Sequence, residues 1–115
     1  MSNFDFTMAN VERVLILRPS GYLNEEAFLK LRAVIDARLE EGWKDLVFNL
    51  EAVSVINSPG ITQLLELTET VLYDYRGTIA LVKVPALYVE VFQVIGLLRL
   101  TEVFSSEEDA VKRLK

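Results

Sequence analysis

Apolar positions in this chain recur at two spacings, every second residue and every third or fourth, and the two alternate along its length. Phe4, Phe6 and Met8 alternate with Asp5 and Thr7, which is the period of a half-buried strand. Ala9-Asn10 can turn the chain into a second strand, Arg13 to Arg18, whose Val-Leu-Ile-Leu centre reads as buried on both faces. Pro19-Ser20-Gly21 is predicted to stop it. Asn24 is then a good N-cap, with Glu25 and Glu26 placing negative charge in the first turn of a helix. Phe28, Leu31, Ile35 and Leu39 follow at helical spacing on one face, and Gly42 is placed to end the run as a left-handed C′ residue. Leu46-Val47-Phe48 with Leu50 reads as a central strand covered on both sides.

The second helix has the clearest pattern. Ile61, Leu64, Leu65, Thr68, Val71, Leu72 and Tyr75 keep the 3.6-residue period, and Gly77 closes the run. Ser58 falls where a cap is expected, and Pro59 suits the first helical position, where its missing N–H costs nothing. A strand over Ile79 to Val84, a helix from about Pro85 to Ile95 ended by Gly96, and a short edge strand Glu102-Val103-Phe104 come next. Ser105 with Glu108 makes a capping-box pattern for a last helix, with Ala110, Val111 and Leu114 facing inward. The order β-β-α-β-α-β-α-β-α predicts an α/β fold, a mixed, mostly parallel sheet of four to five strands packed against helices. No linker, internal repeat or low-complexity tract interrupts it, so residues 1–115 read as a single domain.

Composition narrows the chemistry. Apolar residues make up 51% of the chain, enough for a core without staples. With no cysteine, disulfides, thiolate metal sites and cysteine nucleophiles are excluded. With no histidine, a Ser-His-Asp hydrolase cannot be built, and the commonest metal ligand is missing. No signal peptide or long apolar span is apparent, so the expectation is a cytoplasmic protein without direct membrane insertion. A net charge of −5 with no basic cluster argues against nucleic acid, and Lys112, Arg113 and Lys115 read as a helix C-terminus. Glu40-Glu41 and Glu107-Glu108-Asp109 read as solvated faces or dipole partners. No catalytic residue, metal site or cofactor is expected, because no glycine-rich phosphate loop and no clustered acid pair accompany these absences.

In open α/β sheets, sites gather at the carboxyl ends of the strands. Two segments are predicted to reach that edge, Ser20 to Asn24 and Val55 to Gly60, each leading into a helix N-terminus. A phosphoryl group on Ser58 is expected to sit against the first-turn amides of the second helix. On local sequence alone, Ser58-Pro59 also reads as an ordinary N-cap with proline at N1, Asn57 as a turn residue, Gly60 as a close-packing position and Gly21 as a loop turn. Tyr22, Trp43 and Tyr73 are candidate partner anchors, although aromatic residues at element ends more often cover the core rim.

Four passages together resemble a STAS domain, the fold of bacterial anti-sigma factor antagonists. Gly21-Tyr22-Leu23-Asn24 resembles the family's Gly-x-Leu-Asp turn, and Leu46 to Leu50 is similar to its central strand. Asn57-Ser58-Pro59-Gly60 falls on its Asp-Ser-Ser/Thr-Gly phosphorylation motif. Gly96-Leu97-Leu98-Arg99-Leu100, followed by Val103-Phe104 and Ser106-Glu107-Glu108-Asp109-Ala110, is similar to its C-terminal signature. The resemblance spans nearly the whole chain. It implies a protein-binding switch that binds a serine-kinase anti-sigma factor and frees the sigma factor held there. The kinase then phosphorylates the antagonist, which breaks the complex, and a phosphatase restores it. Ser58 is the implied phosphoacceptor, and Gly21, Tyr22, Leu23, Asn24, Asn57, Ser58, Pro59, Gly60 and Ile61 the implied partner surface, on a monomer or weak homodimer.

The chain departs from that pattern at three places. Asn57 and Asn24 stand where the family usually has aspartate, and Pro59 where many members carry a second hydroxyl residue. These departures favour an alternative, a phosphorylation-independent STAS interaction module that serves as a scaffold or as a soluble subunit of a larger regulatory or transport complex.

Overall fold

Val14, Leu15, Ile16 and Leu17 are all buried, because the strand that carries them lies inside a sheet covered on both faces. In the computed structural model, which describes residues 3–115, that strand is β2 (Val14–Leu23), and it follows β1 (Asp5–Val11) through a tight hairpin. Then come α1 (Glu25–Glu40), β3 (Asp45–Asn49), β4 (Val53–Ile56), α2 (Ser58–Glu69), β5 (Thr78–Val82), α3 (Ala86–Val94), α4 (Leu97–Leu100), β6 (Glu102–Phe104) and α5 (Glu107–Leu114). The main path of the sheet runs β1-β2-β3-β5-β6, with β4 paired to β2. Only β1 is antiparallel to its neighbour; every other pair is parallel. This is the mixed, mostly parallel sheet predicted, with β4 as a sixth strand and α4 as a further short helix.

Side-chain alternation divides the core in two. Leu15, Leu17, Leu46, Phe48, Ile79 and Leu81 join the larger cluster, together with Phe28, Leu31 and Ile35 of α1, Leu64 and Leu67 of α2 and Phe92 of α3. Val14, Ile16, Val47, Ala80 and Val82 join the smaller one, closed by Ala110 and Val111 of α5. Long side chains thus fill the face shared by several helices, and short or branched ones the face closed by a single short helix.

Three predicted boundaries are corrected. Ala9-Asn10 does not turn the chain: both residues pair with β2 inside β1, and the turn falls at Glu12-Arg13. Pro19-Ser20-Gly21 does not end β2, which continues to Leu23. Pro19 stands opposite Phe6 of β1, and on its other side pairing with β3 ends at Leu17 and pairing with β4 begins at Gly21, so that side of the strand has no ladder partner for the missing N–H. The last helix is capped by Ser106, not Ser105: the Ser106 hydroxyl accepts from the Asp109 amide at 3.1 Å. Asn24 caps α1 as expected, its Oδ1 accepting from the Ala27 amide at 2.8 Å, and Gly42 follows the C-cap at φ 104°. Beyond Glu69 the second helix widens into a single π turn over Thr70–Asp74, closed by a bond from the Gly77 amide to the Val71 carbonyl.

The start of α5 is held to the sheet by charge. Arg18 on β2 grips Glu107 with two bonds of 2.8 Å, and the Asn49 amide on β3 donates to the same carboxylate at 2.7 Å. The Arg18 guanidinium, helped by Asn49, holds the Glu107 carboxyl below its usual value of 4.5. A carboxyl whose pKa is lower folded than unfolded stabilises the fold above its unfolded pKa, and that contribution is lost as pH falls through the folded value. Wild type should therefore melt above Glu107→Gln at pH 7, and the gap should close as pH falls below about 4.5. Calorimetric melts from pH 7 to 3 measure this; a gap independent of pH would contradict the ionic account.

Candidate functional site

Two strand ends converge on the first turn of α2. Gly21, Tyr22 and Leu23 at the end of β2 pair with Val53, Val55 and Ile56 of β4, with a bulge between Gly21 and Tyr22. Gly21 holds φ 84°, and a side chain there would collide with the Asn3 backbone, so this left-handed position is open to glycine alone. The Gly21 amide donates to the Ala52 carbonyl at 3.0 Å, fixing β4 against β2. The strand pair ends with Asn24 and Asn57 at the starts of α1 and α2, so the two predicted segments meet at one edge.

Asn57, not Ser58, caps α2. Its backbone is extended, its Oδ1 accepts from the Gly60 amide at 2.9 Å, and its Nδ2 donates to the Tyr22 hydroxyl at 3.2 Å. Helical geometry begins at Ser58, and Pro59 occupies the second position, where an N–H would still lack an intrahelical partner. Ser58 is exposed, and its hydroxyl has no hydrogen bond among the described residues. Its carbonyl accepts from Thr62 Oγ1 at 3.1 Å.

This corrects the expected setting for a phosphate. Pro59 has no N–H and the Gly60 N–H is taken by Asn57, so no first-turn amide beyond that of Ser58 itself is left for an anion. A phosphoryl group on Ser58 would point outward, held only by the general pull of the helix dipole.

The other predicted residues divide by exposure. Pro59 is exposed; Tyr22, Asn24, Asn57 and Ile61 are half-buried; Gly21, Leu23 and Gly60 are buried. Gly60 lies so close to the Leu23 carbonyl that a β-carbon would overlap it, and this contact seats α2 on β2. Of the aromatic candidates, Tyr22 belongs to the site through Asn57, Trp43 packs on the rim of the core, and Tyr73 stands exposed on the π turn. Trp43 also lines an open groove of about 470 Å³ with Arg13 and Asp45, at the amino ends of the parallel strands and hence at the opposite edge.

Two features add to the predicted elements. Strand β4 pairs with the end of β2, and Tyr88 of α3 reaches across so that its hydroxyl accepts from the Ile56 amide at 2.9 Å. A tyrosine on the apolar side of a helix whose polar residues, Glu90 and Gln93, are exposed is the available signal, since a buried phenol needs a polar partner.

The family model for the STAS domain matches residues 5–110. The chain belongs to the STAS domain family. No curated protein matches it significantly. Among solved structures, this STAS domain is similar to the anti-sigma factor antagonist SpoIIAA in its unphosphorylated form, at 25% identity and a TM-score of 0.78, covering 95% of this chain and 96% of that one. The phosphorylated form of the Bacillus cell fate determinant SpoIIAA matches at 26% identity and a TM-score of 0.79, covering 96% and 100%. A putative anti-sigma factor antagonist from Thermotoga maritima shares the fold, at 23% identity and a TM-score of 0.84, covering 95% and 93%. Among the described residues of this STAS domain no helix is long and apolar enough to cross a membrane, and no cluster of acidic side chains could hold a metal ion.

Proposed function

We propose that this STAS domain is a bacterial anti-sigma factor antagonist, a binding protein without catalysis. It docks a serine-kinase anti-sigma factor through the edge formed by Gly21–Asn24 and Asn57–Ile61 and is released when Ser58 is phosphorylated. One observation carries the reading. An exposed, unpaired hydroxyl begins α2 in a chain 26% identical to SpoIIAA, a protein that has a phosphorylated form. Within the edge, Ser58 and Pro59 offer the exposed contact and Tyr22 and Asn57 hold it in place, while Gly21, Leu23 and Gly60 shape the backbone beneath.

The switch follows from local charge. No charged residue occurs from Ala52 to Leu65. A phosphate adds a charge of about −1.5 to −2, which an interface formed over Ser58 would have to desolvate. With no first-turn amide beyond that of Ser58 itself to fold it away, the group would meet the partner directly. A phosphatase would reset the switch. The protein would act in the cytoplasm as one domain, monomeric or weakly dimeric.

The test is incubation with a purified serine-kinase anti-sigma factor and ATP, followed by peptide mass spectrometry and calorimetric titration. One phosphate at Ser58 is expected, none on Ser58→Ala, and an affinity loss of about a hundredfold or more for the phosphorylated chain. Equal binding by unmodified and phosphorylated chains, or no transfer to Ser58, would sink the switch. The departures at Asn57, Asn24 and Pro59 would then point to the phosphorylation-independent module.

A further inference from the structure

The amino ends of the parallel strands, opposite the Ser58 edge, carry positive charge that the fold leaves unmatched. Val14 of β2 pairs with Asp45 of β3, so Arg13 and Lys44, each one residue earlier, stand side by side where the two strands begin. Adjacent strands lie about 4.8 Å apart, and like charges in facing positions repel. Neither side chain has a hydrogen bond or an ion pair among the described residues, although the chain as a whole carries a net charge of −5.

Both cations line the open groove of about 470 Å³, and the acids beside them are engaged elsewhere. Glu12 lies 3.8 Å from Lys115, Glu41 lies 3.8 Å from Arg38, and Asp45 accepts from the Thr78 hydroxyl at 2.7 Å. Trp43 completes the groove. It is half-buried and packs on the larger core cluster, and the bond from its amide to the Arg38 carbonyl holds it against the end of α1. The indole is therefore a fixed wall beside two cations with nothing to bind.

We propose that this groove is a binding site for a small aromatic carboxylate, its ring against the Trp43 indole and its carboxylate on Arg13 and Lys44. A guanidinium fork matches the two oxygens of a carboxylate, and a planar ring stacks on an indole. The volume falls within the range of small-molecule sites, about 300–1,000 Å³. Charge selects among anions. Helix α1 ends beside the groove and turns the negative end of its dipole toward it, and three carboxylates stand around it. A phosphate dianion would meet more of that repulsion than a single carboxylate does. An uncharged ring would leave Arg13 and Lys44 facing each other unrelieved. The site is independent of the function proposed for the Ser58 edge.

The test is a titration of the intact chain with cinnamate, followed by proton–nitrogen correlation spectra. Trp43 is the only tryptophan, so its indole N–H gives a single side-chain resonance. Cinnamate should shift that resonance saturably, with a Kd of about 1 mM or below. Arg13→Gln should weaken binding about tenfold, the loss of a charge-assisted pair, and Lys44→Gln about threefold. Lys112→Gln removes an equal charge away from the groove and should leave binding unchanged. Cinnamyl alcohol and phenyl phosphate should each bind at least about tenfold more weakly than cinnamate. Arg13 and Lys44 are exposed, so both variants keep the fold, and the same spectra show it. No saturable shift with cinnamate up to about 10 mM would overturn the inference. So would equal binding by Arg13→Gln, or cinnamyl alcohol binding as tightly as cinnamate, since either would leave only an apolar contact at Trp43.

Discussion

Gly60→Ala should destabilise the domain by about 2–3 kcal/mol, the upper end of the usual cost of overpacking. The reason is space. A β-carbon at Gly60 would overlap the Leu23 carbonyl oxygen and lie 3.2 Å from both Asn57 Oδ1 and Ile56 Cγ2. The atom it would strike is backbone, in a strand held by β4 and followed at once by the cap of α1, so it cannot swing aside as a flexible side chain would. Gly60 does not have a left-handed backbone, so the penalty is steric rather than conformational. Relief requires α2 to lift from β2, which would stretch the Asn57–Gly60 and Tyr22–Asn57 bonds that set the edge. Urea unfolding of wild type and variant gives the answer directly. A change within 0.5 kcal/mol, the range of ordinary surface substitutions, would show that the first turn of α2 is not seated as described.

That close approach also shows why the edge was only partly legible in the sequence. The helices and the two-sided strands announce themselves through period, and α1 is further marked by a cap, acidic first turn and terminal glycine that all agree. At Asn57-Ser58 two good cap residues stand side by side, and local chemistry does not choose between them. The choice is made by the fold: the seating of Gly60 on Leu23 fixes where helical geometry starts, and Asn57 is then three residues back. Ser105-Ser106 is the same ambiguity, resolved by the position of Asp109 at the head of α5. Strand β4 was missed because four residues are too few for a period, and because its partner is the part of β2 that Pro19 and Gly21 appear to terminate. Only the exchange of β2 from β3 to β4 makes room for both residues inside a strand.

Phe48→Ala should cost more than any substitution at the edge, about 3–5 kcal/mol. Phe48 is fully buried on β3, opposite Leu17 of β2 and Leu81 of β5, in the core face shared with α1, α2 and α3. Its neighbours there are long side chains fixed on three strands and several helices, so the space left by the ring cannot close by movement of one element. Domains of this kind have a net stability of about 5–15 kcal/mol, and the loss therefore takes a large share of it. The urea midpoint should fall sharply with the slope of the transition preserved, since the surface exposed on unfolding scarcely changes. A loss below about 1.5 kcal/mol would mean that the large core is loosely packed, contrary to the complete burial of Phe28, Phe48 and Phe92. Partner affinity separates this effect from those at the edge. Molecules of Phe48→Ala that remain folded keep the Ser58 edge in place, so under conditions where the variant is mostly native its affinity for the proposed partner should match wild type. The core sets how many molecules carry the proposed docking edge, and the Asn57–Gly60 turn sets what that edge presents.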